Sequence, residues 1–229
     1  MFMKKIIINE RQEKILKEHL IKEAMGFGFS LGYLKTLSSF KKKLDYCKEY
    51  LGFSIGRGSS RICFQLDDER ILKLAFNQKG IAQNEEEFRN GQDYYNNIVP
   101  NVFPGLSDTD NFTFIVSEYV LPAKDEDFEY ICGVDFTTFT HVIKTVESWY
   151  NQKQRTKYLS DDDIEQLSND SEDIANFVNY VSSYQPATGD MMRICNYGIV
   201  SRNGEACIVL LDCGLTDEIF NKYYAKKIK

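Results

Sequence analysis

Alternation of apolar side chains and turn residues predict two β-strands over residues 52–76. Ile62, Phe64 and Leu66 are separated by less apolar side chains, which gives the two-residue period of a half-buried strand. The acidic run that follows Leu66 predicts a turn, and residues 70–76 predict a second strand after it. We interpret this stretch as two strands joined by a tight turn.

Helical periodicity and capping residues predict the elements around these strands. One helix is predicted after Asn9 and another over 33–51, so that residues 1–51 form a helical extension. A further helix is predicted over 78–97, with an apolar stripe through Ile81, Phe88 and Tyr95 and with Glu86 facing solvent. The remaining predicted elements are a strand over 112–121, an acidic loop over 125–129, and helices capped by Asp135, Ser160 and Ser171.

A lysine lies on the apolar second strand, and a glycine-bearing turn precedes the first. Lys73 shares a strand face with Ile71 and Ala75, so its ammonium group needs an anionic partner or a route to water. Gly56 and Gly58 let backbone amides approach an anion closely. The stretch is consistent with a phosphate-binding turn, and equally with a plain hairpin that carries a snorkelling surface lysine.

The second half of the chain carries a strong hairpin signal, an Asn-Gly pair at 203–204 between two β-rich runs. With these two residues as the loop, the ladder register places Asn196 opposite Leu211 and within one residue of Asp212. An amide oxygen beside a carboxylate makes a Mg²⁺ site when phosphates complete the coordination shell. The alternative is a hairpin whose open end happens to be polar.

The composition is that of an ordinary globular protein. Of the 229 residues, 43% are hydrophobic and 27% are charged. The net charge of −6 argues against nucleic-acid binding, and we take the basic run at 41–43 to be a solvated helix face. No apolar run is long enough to span a membrane, and the N-terminal apolar run is too short for a signal peptide. We therefore expect a cytoplasmic protein that binds neither membranes nor nucleic acid.

Cysteine and histidine usage limits the expected metal chemistry. The six cysteines include no C-x-x-C pair, so we expect buried free thiols in a reducing compartment, not disulfides or a zinc site. The two histidines argue against a histidine-rich metal site.

Several short motifs occur in the order found in protein kinases. They are Gly56-x-Gly58-Ser59-Ser60-Arg61, Ile-Leu-Lys73, Gly80-Ile-Ala-Gln-Asn84-x-x-Glu87, Ile115-Val-Ser-Glu118-Tyr119-Val, Asn196-x-Gly198 and Leu-Leu-Asp212-Cys-Gly214. Over roughly 52–214 the chain resembles the protein kinase-like superfamily, in particular small, truncated kinase-like proteins of bacteria and their phages.

The resemblance implies an α+β fold of the protein kinase-like, bilobal type. It divides the chain into a helical N-terminal extension over 1–51, an antiparallel β-sheet N-lobe with its C-helix over 52–122, and a minimal, mainly helical C-lobe over 123–229. It also places the protein in the cytoplasm of a bacterial or phage-infected cell.

The resemblance further implies a role for each matched residue. Lys73 would hold the α- and β-phosphates of ATP, with Glu87 as its helix-borne partner, although periodicity alone leaves Glu85 open as well. The backbone over 117–119 would contact adenine. The other nucleotide-binding residues implied are Gly56, Gly58, Ser59, Ser60, Arg61, Cys63, Ile71, Glu118 and Tyr119, and Asn196 and Asp212 would bind Mg²⁺.

The chain departs from the kinase pattern at the catalytic loop and at the glycine turn. The position five residues before Asn196, where the pattern has the catalytic aspartate, is Met191, and Asp190 comes one residue earlier. Arg193 takes the place of the loop's phosphate-contacting lysine. Arg61 replaces the third glycine of the turn, although arginine can itself contact phosphate.

These features favour an ATP- and Mg²⁺-dependent phosphotransferase with an unknown acceptor, in which Asp190, Lys73 and Arg193 act in catalysis. Only 15 residues follow Gly214, too few for an activation segment or for helices that present a protein substrate. The alternative is a non-catalytic, nucleotide-binding or structural protein of the same fold. A third function is transfer of another group, such as AMP. The expected partners are a nucleotide and a protein that binds the N-terminal helices.

Overall fold

The computed structural model describes residues 28–91, 97–151 and 158–224, except for the side chain of residue 217. The helix predicted after Asn9 lies outside these residues. Within them the chain contains two antiparallel sheets and a mainly helical second half. This arrangement confirms the predicted α+β class, with a helix packed on the first sheet and with helices and a hairpin after it.

The elements of the described residues are numbered in chain order. The helices are α1 Leu31–Thr36, α2 Phe40–Leu51, α3 Gln78–Asn90, α4 Asp125–Cys132, α5 Phe136–Tyr150, α6 Asp161–Asp170, α7 Glu172–Tyr184, α8 Thr188–Met191 and α9 Asp217–Tyr223. The strands are β1 Gly56–Arg57, β2 Arg61–Gln65, β3 Arg70–Ala75, β4 Phe114–Glu118, β5 Leu121–Pro122, β6 Tyr197–Arg202 and β7 Glu205–Leu210. Short 3₁₀ helices cover Pro104–Leu106 and Ile194–Asn196.

Two helices, α1 and α2, replace the single helix predicted over 33–51. Ser39 has an extended backbone, and its hydroxyl accepts a hydrogen bond from the backbone N–H of Lys42 at 3.3 Å. This contact satisfies a free N–H group in the first turn of α2, which stabilises a helix start at that point. The prediction is wrong because the apolar periodicity continues across the break that this N-cap makes.

The basic run at 41–43 is not wholly a solvated face. Lys43 is buried, and its ammonium group donates to the backbone oxygens of Leu34 at 2.8 Å and Lys35 at 3.4 Å. Both carbonyl groups lie at the C-terminal end of α1, where a cation interacts favourably with the helix. The prediction is therefore wrong for Lys43, which links α1 to α2.

The first sheet is antiparallel, with the strand order β1-β2-β3-β4. The stretch 52–76 forms three strands instead of the predicted two, because the glycine turn pairs back onto β2 with Gly56 opposite Cys63. The turn between β2 and β3 forms as predicted, and the Leu66 backbone N–H donates to the Arg70 oxygen at 2.9 Å.

One face of this sheet is apolar and the other face carries charge. The apolar cluster under α1 and α2 contains alternate residues of three strands, namely Ile62, Phe64, Leu72, Leu74, Phe114 and Val116. The intervening residues point to the opposite face, where α3 packs against β3 and β4. Lys73 therefore lies under α3 and not in the apolar cluster.

The helix α3 turns a polar face toward this charged side of the sheet. Its buried residues are Gly80, Gln83, Asn84, Glu87 and Asn90. The predicted apolar stripe is wrong, because Ile81 and Phe88 are only half-buried, and Tyr95 lies outside the described residues. Glu86 does not simply face solvent, since it accepts a hydrogen bond from the hydroxyl of Tyr184 on α7.

The predicted acidic loop at 125–129 is wrong, because these residues begin α4. The Asp127 carboxylate accepts a hydrogen bond from the Lys124 backbone N–H at 2.7 Å. Acidic side chains in a first helical turn also interact favourably with the N-terminal end of the helix. The acidic run therefore marks a helix start. The three predicted domain ranges stay predictions.

The rest of the second half surrounds an aromatic cluster. Asp135, Ser160 and Ser171 cap α5, α6 and α7 through hydrogen bonds from backbone N–H groups, as predicted. The largest buried rings of the cluster are Phe128, Phe139, Phe177, Tyr180 and Tyr197. This packing holds the β6–β7 hairpin against the helices.

The hairpin forms in the predicted register. Asn203 and Gly204 have φ values of 54° and 90°, as a two-residue loop of this kind requires. The Leu211 backbone N–H donates to the Asn196 oxygen at 2.8 Å, so the two strands end side by side. The open end of the hairpin, with Asp212 next along the chain, faces the first sheet.

After the hairpin the chain passes directly against α3. A Cβ atom on Gly214 would lie 2.2 Å from the backbone oxygen of Gln83, so glycine is required for this approach. The Asn90 amide donates to the Cys213 oxygen at 3.4 Å, and α9 then packs on α3. The helix α3 is thus held between the sheet and the segment that follows Asp212.

The six cysteines are free, as predicted, but the prediction that they are buried holds only for Cys47, Cys132 and Cys213, since Cys195 is exposed and the other two are partly buried. No helix within the ranges given above is long and apolar enough to cross a membrane.

Candidate functional site

A cavity of about 610 Å³ lies between the first sheet and the open end of the β6–β7 hairpin. We call it the main cavity. Its lining includes most of the predicted site residues, namely Gly56, Gly58, Ser59, Ser60, Arg61, Cys63, Ile71, Lys73, Glu118, Tyr119, Asp190, Asn196 and Asp212. Two predicted site residues do not line it: Glu87 and Arg193.

Lys73 and Glu87 form a buried ion pair at the back of the main cavity. The Lys73 ammonium group donates to Oε1 of Glu87, and the Lys73 and Glu87 side chains are 5% and 0% exposed. The same ammonium group donates to the backbone oxygen of Leu211 at 2.8 Å. The strand lysine therefore has an anionic partner, and it also joins the first sheet to the end of the hairpin.

Arg61 lies beside this pair and connects it to Asp212. Its Nη1 donates to Oε2 of Glu87 at 2.6 Å and to Oδ1 of Asn84 at 3.3 Å, while its Nη2 donates to Oδ1 of Asp212. The arginine at the position of a third glycine is therefore engaged by two carboxylates. We call Arg61, Lys73, Glu87 and Asp212 the charge network.

The charge network balances two cations against two carboxylates. Burial alone would raise the pKa of Glu87, but the charges of Lys73 and Arg61 and the hydrogen bonds they donate hold it below its ordinary value. Burial alone would lower the pKa of Arg61, and the charges of Glu87 and Asp212 raise it instead. Glu87 and Arg61 are therefore ionised at neutral pH, as buried, paired groups require.

Asn196 and Asp212 offer oxygen atoms to the main cavity. The Asn196 amide nitrogen donates to the Asp190 backbone oxygen at 2.8 Å, which leaves Oδ1 of Asn196 as the acceptor. Asp212 uses Oδ1 for Arg61, and its side chain is 41% exposed. Two oxygen donors beside a phosphate site fit Mg²⁺, which commonly takes one or two protein carboxylates and completes its shell with phosphates and water. Among the described residues, no cluster of three or more His, Cys, Asp or Glu side chains could hold a metal by itself.

Part of the lining of the main cavity is apolar. Cys63 and Ile71 on neighbouring strands line it, together with Tyr119 and the buried Val120. The Glu118 carboxylate is directed away, because Arg202 binds it through two contacts of 2.7 and 2.5 Å. The sequence prediction missed Val120, although this residue directly continues the segment predicted to contact adenine.

The glycine turn forms another part of the lining of the main cavity. Gly56, Gly58 and Ser59 are exposed at the rim, whereas Ser60 is buried and its hydroxyl donates to Oε1 of Gln83 on α3. The Tyr224 hydroxyl lies 3.4 Å from the hydroxyls of both serines. Sequence reasoning also missed this tyrosine and Phe220 on α9, because only the folded chain brings them back to the turn.

The residues of the predicted catalytic loop lie in different surroundings. Met191 is buried in the helical core at 1% exposure, so its side chain cannot take the place of a catalytic aspartate. Asp190 lines the main cavity, and burial first and the nearby Asp212 charge second raise its pKa, against a lowering contribution from Arg193. Arg193 lines a neighbouring cavity that also contains Asp190.

The solved structures that are similar to this chain include two phosphotransferase complexes. One is the aminoglycoside phosphotransferase APH(2″)-IIa in a ternary complex with streptomycin and ATP, at 14% identity, a TM-score of 0.33, and 78% of this chain and 72% of that chain covered. The other is APH(2″)-IIia in complex with GDP and kanamycin, at 11% identity, a TM-score of 0.37, and 71% and 66% covered. At these TM-scores neither match defines a residue correspondence. No family model and no curated protein matches the sequence.

The charge network predicts different costs for neighbouring glutamates of α3. Glu87→Ala leaves the charges of Lys73 and Arg61 buried with too few anions, so we expect it to lower the free energy of unfolding by about 3–5 kcal/mol. Glu85→Ala removes a partly exposed pair with Arg89, and we expect it to cost about 0.3–0.5 kcal/mol. Urea denaturation of both variants measures the difference, and equal costs would contradict the assignment of Glu87 to the network.

Proposed function

We propose that the chain is an ATP- and Mg²⁺-dependent phosphotransferase of protein kinase-like fold. The observation that carries the proposal is the convergence of Lys73, Asp212, Asn196 and the glycine turn on one cavity. Phosphoryl transfer depends mainly on positioning the phosphates and neutralising their charge, and these groups supply both. In this proposal Lys73 holds the α- and β-phosphates, and Asn196 and Asp212 hold Mg²⁺, which would neutralise phosphate charge.

The polarity of the main cavity sets the proposed orientation of the nucleotide. Adenine lies against the apolar side chains of Cys63 and Ile71 and against Tyr119, and the phosphates lie against Gly58 and Ser59. Backbone amides of a glycine-rich turn can approach phosphate oxygens closely because no side chains intervene. The volume of about 610 Å³ lies in the range of small-molecule sites.

Asp190 is the proposed catalytic base. It is the carboxylate of the loop before Asn196 that lines the main cavity, and burial and the nearby Asp212 charge raise its pKa, which makes it a stronger base than a free aspartate. Its backbone oxygen is hydrogen-bonded to the Asn196 amide, which ties the position of this loop to the proposed metal ligands.

A non-catalytic protein of the same fold is the second candidate, and a specific contact favours it. Arg61 occupies one oxygen of Asp212 and one oxygen of Glu87, so the charge network is satisfied without a nucleotide. Such a network can serve stability alone. In that case nucleotide binding, if retained, would lead to no turnover. Transfer of AMP in place of phosphate would release pyrophosphate. This product distinguishes AMP transfer from phosphate transfer and from the non-catalytic function.

Nucleotide binding is tested by thermal unfolding with and without ATP and Mg²⁺. At ATP about 100-fold above its Kd, mass action adds about 2.7 kcal/mol, which corresponds to a rise in Tm of about 5–10 °C. We expect Asp212→Asn and Lys73→Met to remove most of this rise. Lys42→Gln, which changes an exposed lysine on α2, should keep it. A wild-type Tm that does not change in millimolar ATP would exclude both nucleotide-dependent functions.

The role of Asp190 is tested by turnover of radiolabelled ATP. We expect Asp190→Asn to lower phosphate transfer or release by about a hundredfold or more, because the amide cannot accept the proton. Its ATP-induced rise in Tm should be nearly that of wild type. No turnover by wild type would support the non-catalytic function, and equal turnover by both proteins would show that Asp190 is not the base.

A further inference from the structure

A second cavity of about 550 Å³ adjoins the main cavity. Asp190, Leu215 and Phe220 line both cavities, so the proposed base lies where the two meet. A group bound in the second cavity would therefore have access to the same carboxylate that faces the nucleotide side.

The walls of the second cavity are fixed to one another by backbone contacts. The Ala187 N–H donates to the Leu215 oxygen at 2.9 Å, and Pro186 and Thr216 form an antiparallel bridge. These contacts join the segment before α8 to the segment before α9. Asp190 lies in α8, so its position is tied to the start of α9. The helix α5 packs against α8 and closes the far side.

Four polar side chains of the second cavity are already paired with one another. The Lys144 ammonium group donates to Oε2 of Glu147 at 2.8 Å and to the Thr188 hydroxyl at 3.1 Å. The Asn151 amide donates to Oε1 of Glu147 at 3.1 Å. The carboxylate of Glu147 is thus bound on both oxygens, and the charges of Lys144 and Glu147 cancel.

Arg193 is the second cation of this lining, besides the paired Lys144. It lines the second cavity, its side chain is exposed, and no ion pair of its guanidinium occurs within residues 28–91, 97–151 and 158–224. The other unpaired charge of the lining is Asp190, which the proposed function uses for proton transfer. With Asp190 assigned to proton transfer, the guanidinium of Arg193 is the charged group that the lining offers to a ligand, and a guanidinium matches a carboxylate or phosphate in geometry.

We propose that the second cavity binds the phosphate acceptor, a small hydroxylated molecule whose anionic group is bound by Arg193. This inference rests on the proposed function. The acceptor oxygen forms a bond to the γ-phosphorus, the bond from that phosphorus to the bridging oxygen of ADP breaks, ADP leaves with the electron pair, and the acceptor's hydroxyl proton passes to Asp190. Arg193 is then a specificity residue on the acceptor side and not a ligand of the ATP phosphates.

Three hexoses that differ mainly in charge test this inference: glucuronate, glucose and glucosamine. ADP release is measured for wild type with ATP and Mg²⁺ and each sugar over a no-sugar background. We expect glucuronate to raise the rate most and glucosamine least. Arg193→Gln should raise the half-saturating concentration of glucuronate by about tenfold, because a charge-assisted contact is lost. Arg193→Lys should restore part of it, and Lys42→Gln should behave as wild type.

Separate outcomes distinguish failure of this inference from failure of the proposed function. Equal rates with the three sugars, or no stimulation by glucuronate, in a protein whose Tm still rises with ATP would overturn the acceptor site alone. A weaker ATP-induced rise in Tm for Arg193→Gln would also overturn it, because Arg193 would then contact the nucleotide. A wild type that does not respond to ATP would overturn the proposed function and this inference together.

Discussion

The carboxylate of Glu87, shared between Lys73 and Arg61 with no exposure to solvent, is the interaction on which the rest of the structure depends. Placing a charge in a protein interior costs several kcal/mol unless the partners are close and well oriented. The helix α3 must therefore lie directly on the cationic face of the sheet. Its polar buried face and the close approach of Gly80 to the Ser60 oxygen are consequences of that position.

The same interaction determines where the second half of the chain meets the first. Arg61 also binds Asp212, and Lys73 also binds the Leu211 backbone oxygen, so the open end of the hairpin is fixed relative to the sheet. Gly214 then allows the chain to pass against α3 without a clash. Four distant segments thus meet around one cavity and are held there by contacts within the chain, which is the preorganisation that a phosphate-binding site needs.

The sequence predicted well where local chemistry decides the structure. The Asn-Gly loop determined the hairpin register and so the pairing of Asn196 with Leu211, and Asp135, Ser160 and Ser171 marked helix starts that the structure has. The motif order also identified Glu87 as the partner of Lys73, which periodicity could not.

Prediction failed where tertiary contacts decide the structure. The buried face of α3 is polar because it meets cations, and an apolar-stripe rule cannot anticipate this. Tyr224 and Phe220 reach the cavity only through the path of the folded chain.

A structure determined with a non-hydrolysable ATP analogue and Mg²⁺ tests the central claim most directly, namely that the charge network builds a nucleotide site. The account predicts phosphates between the glycine turn and Lys73, a metal ion bound by Asn196 and Asp212, adenine against Cys63 and Ile71, and Glu87 still paired with Lys73. A main cavity that stays empty at millimolar analogue, or an analogue bound elsewhere on the chain, would contradict it.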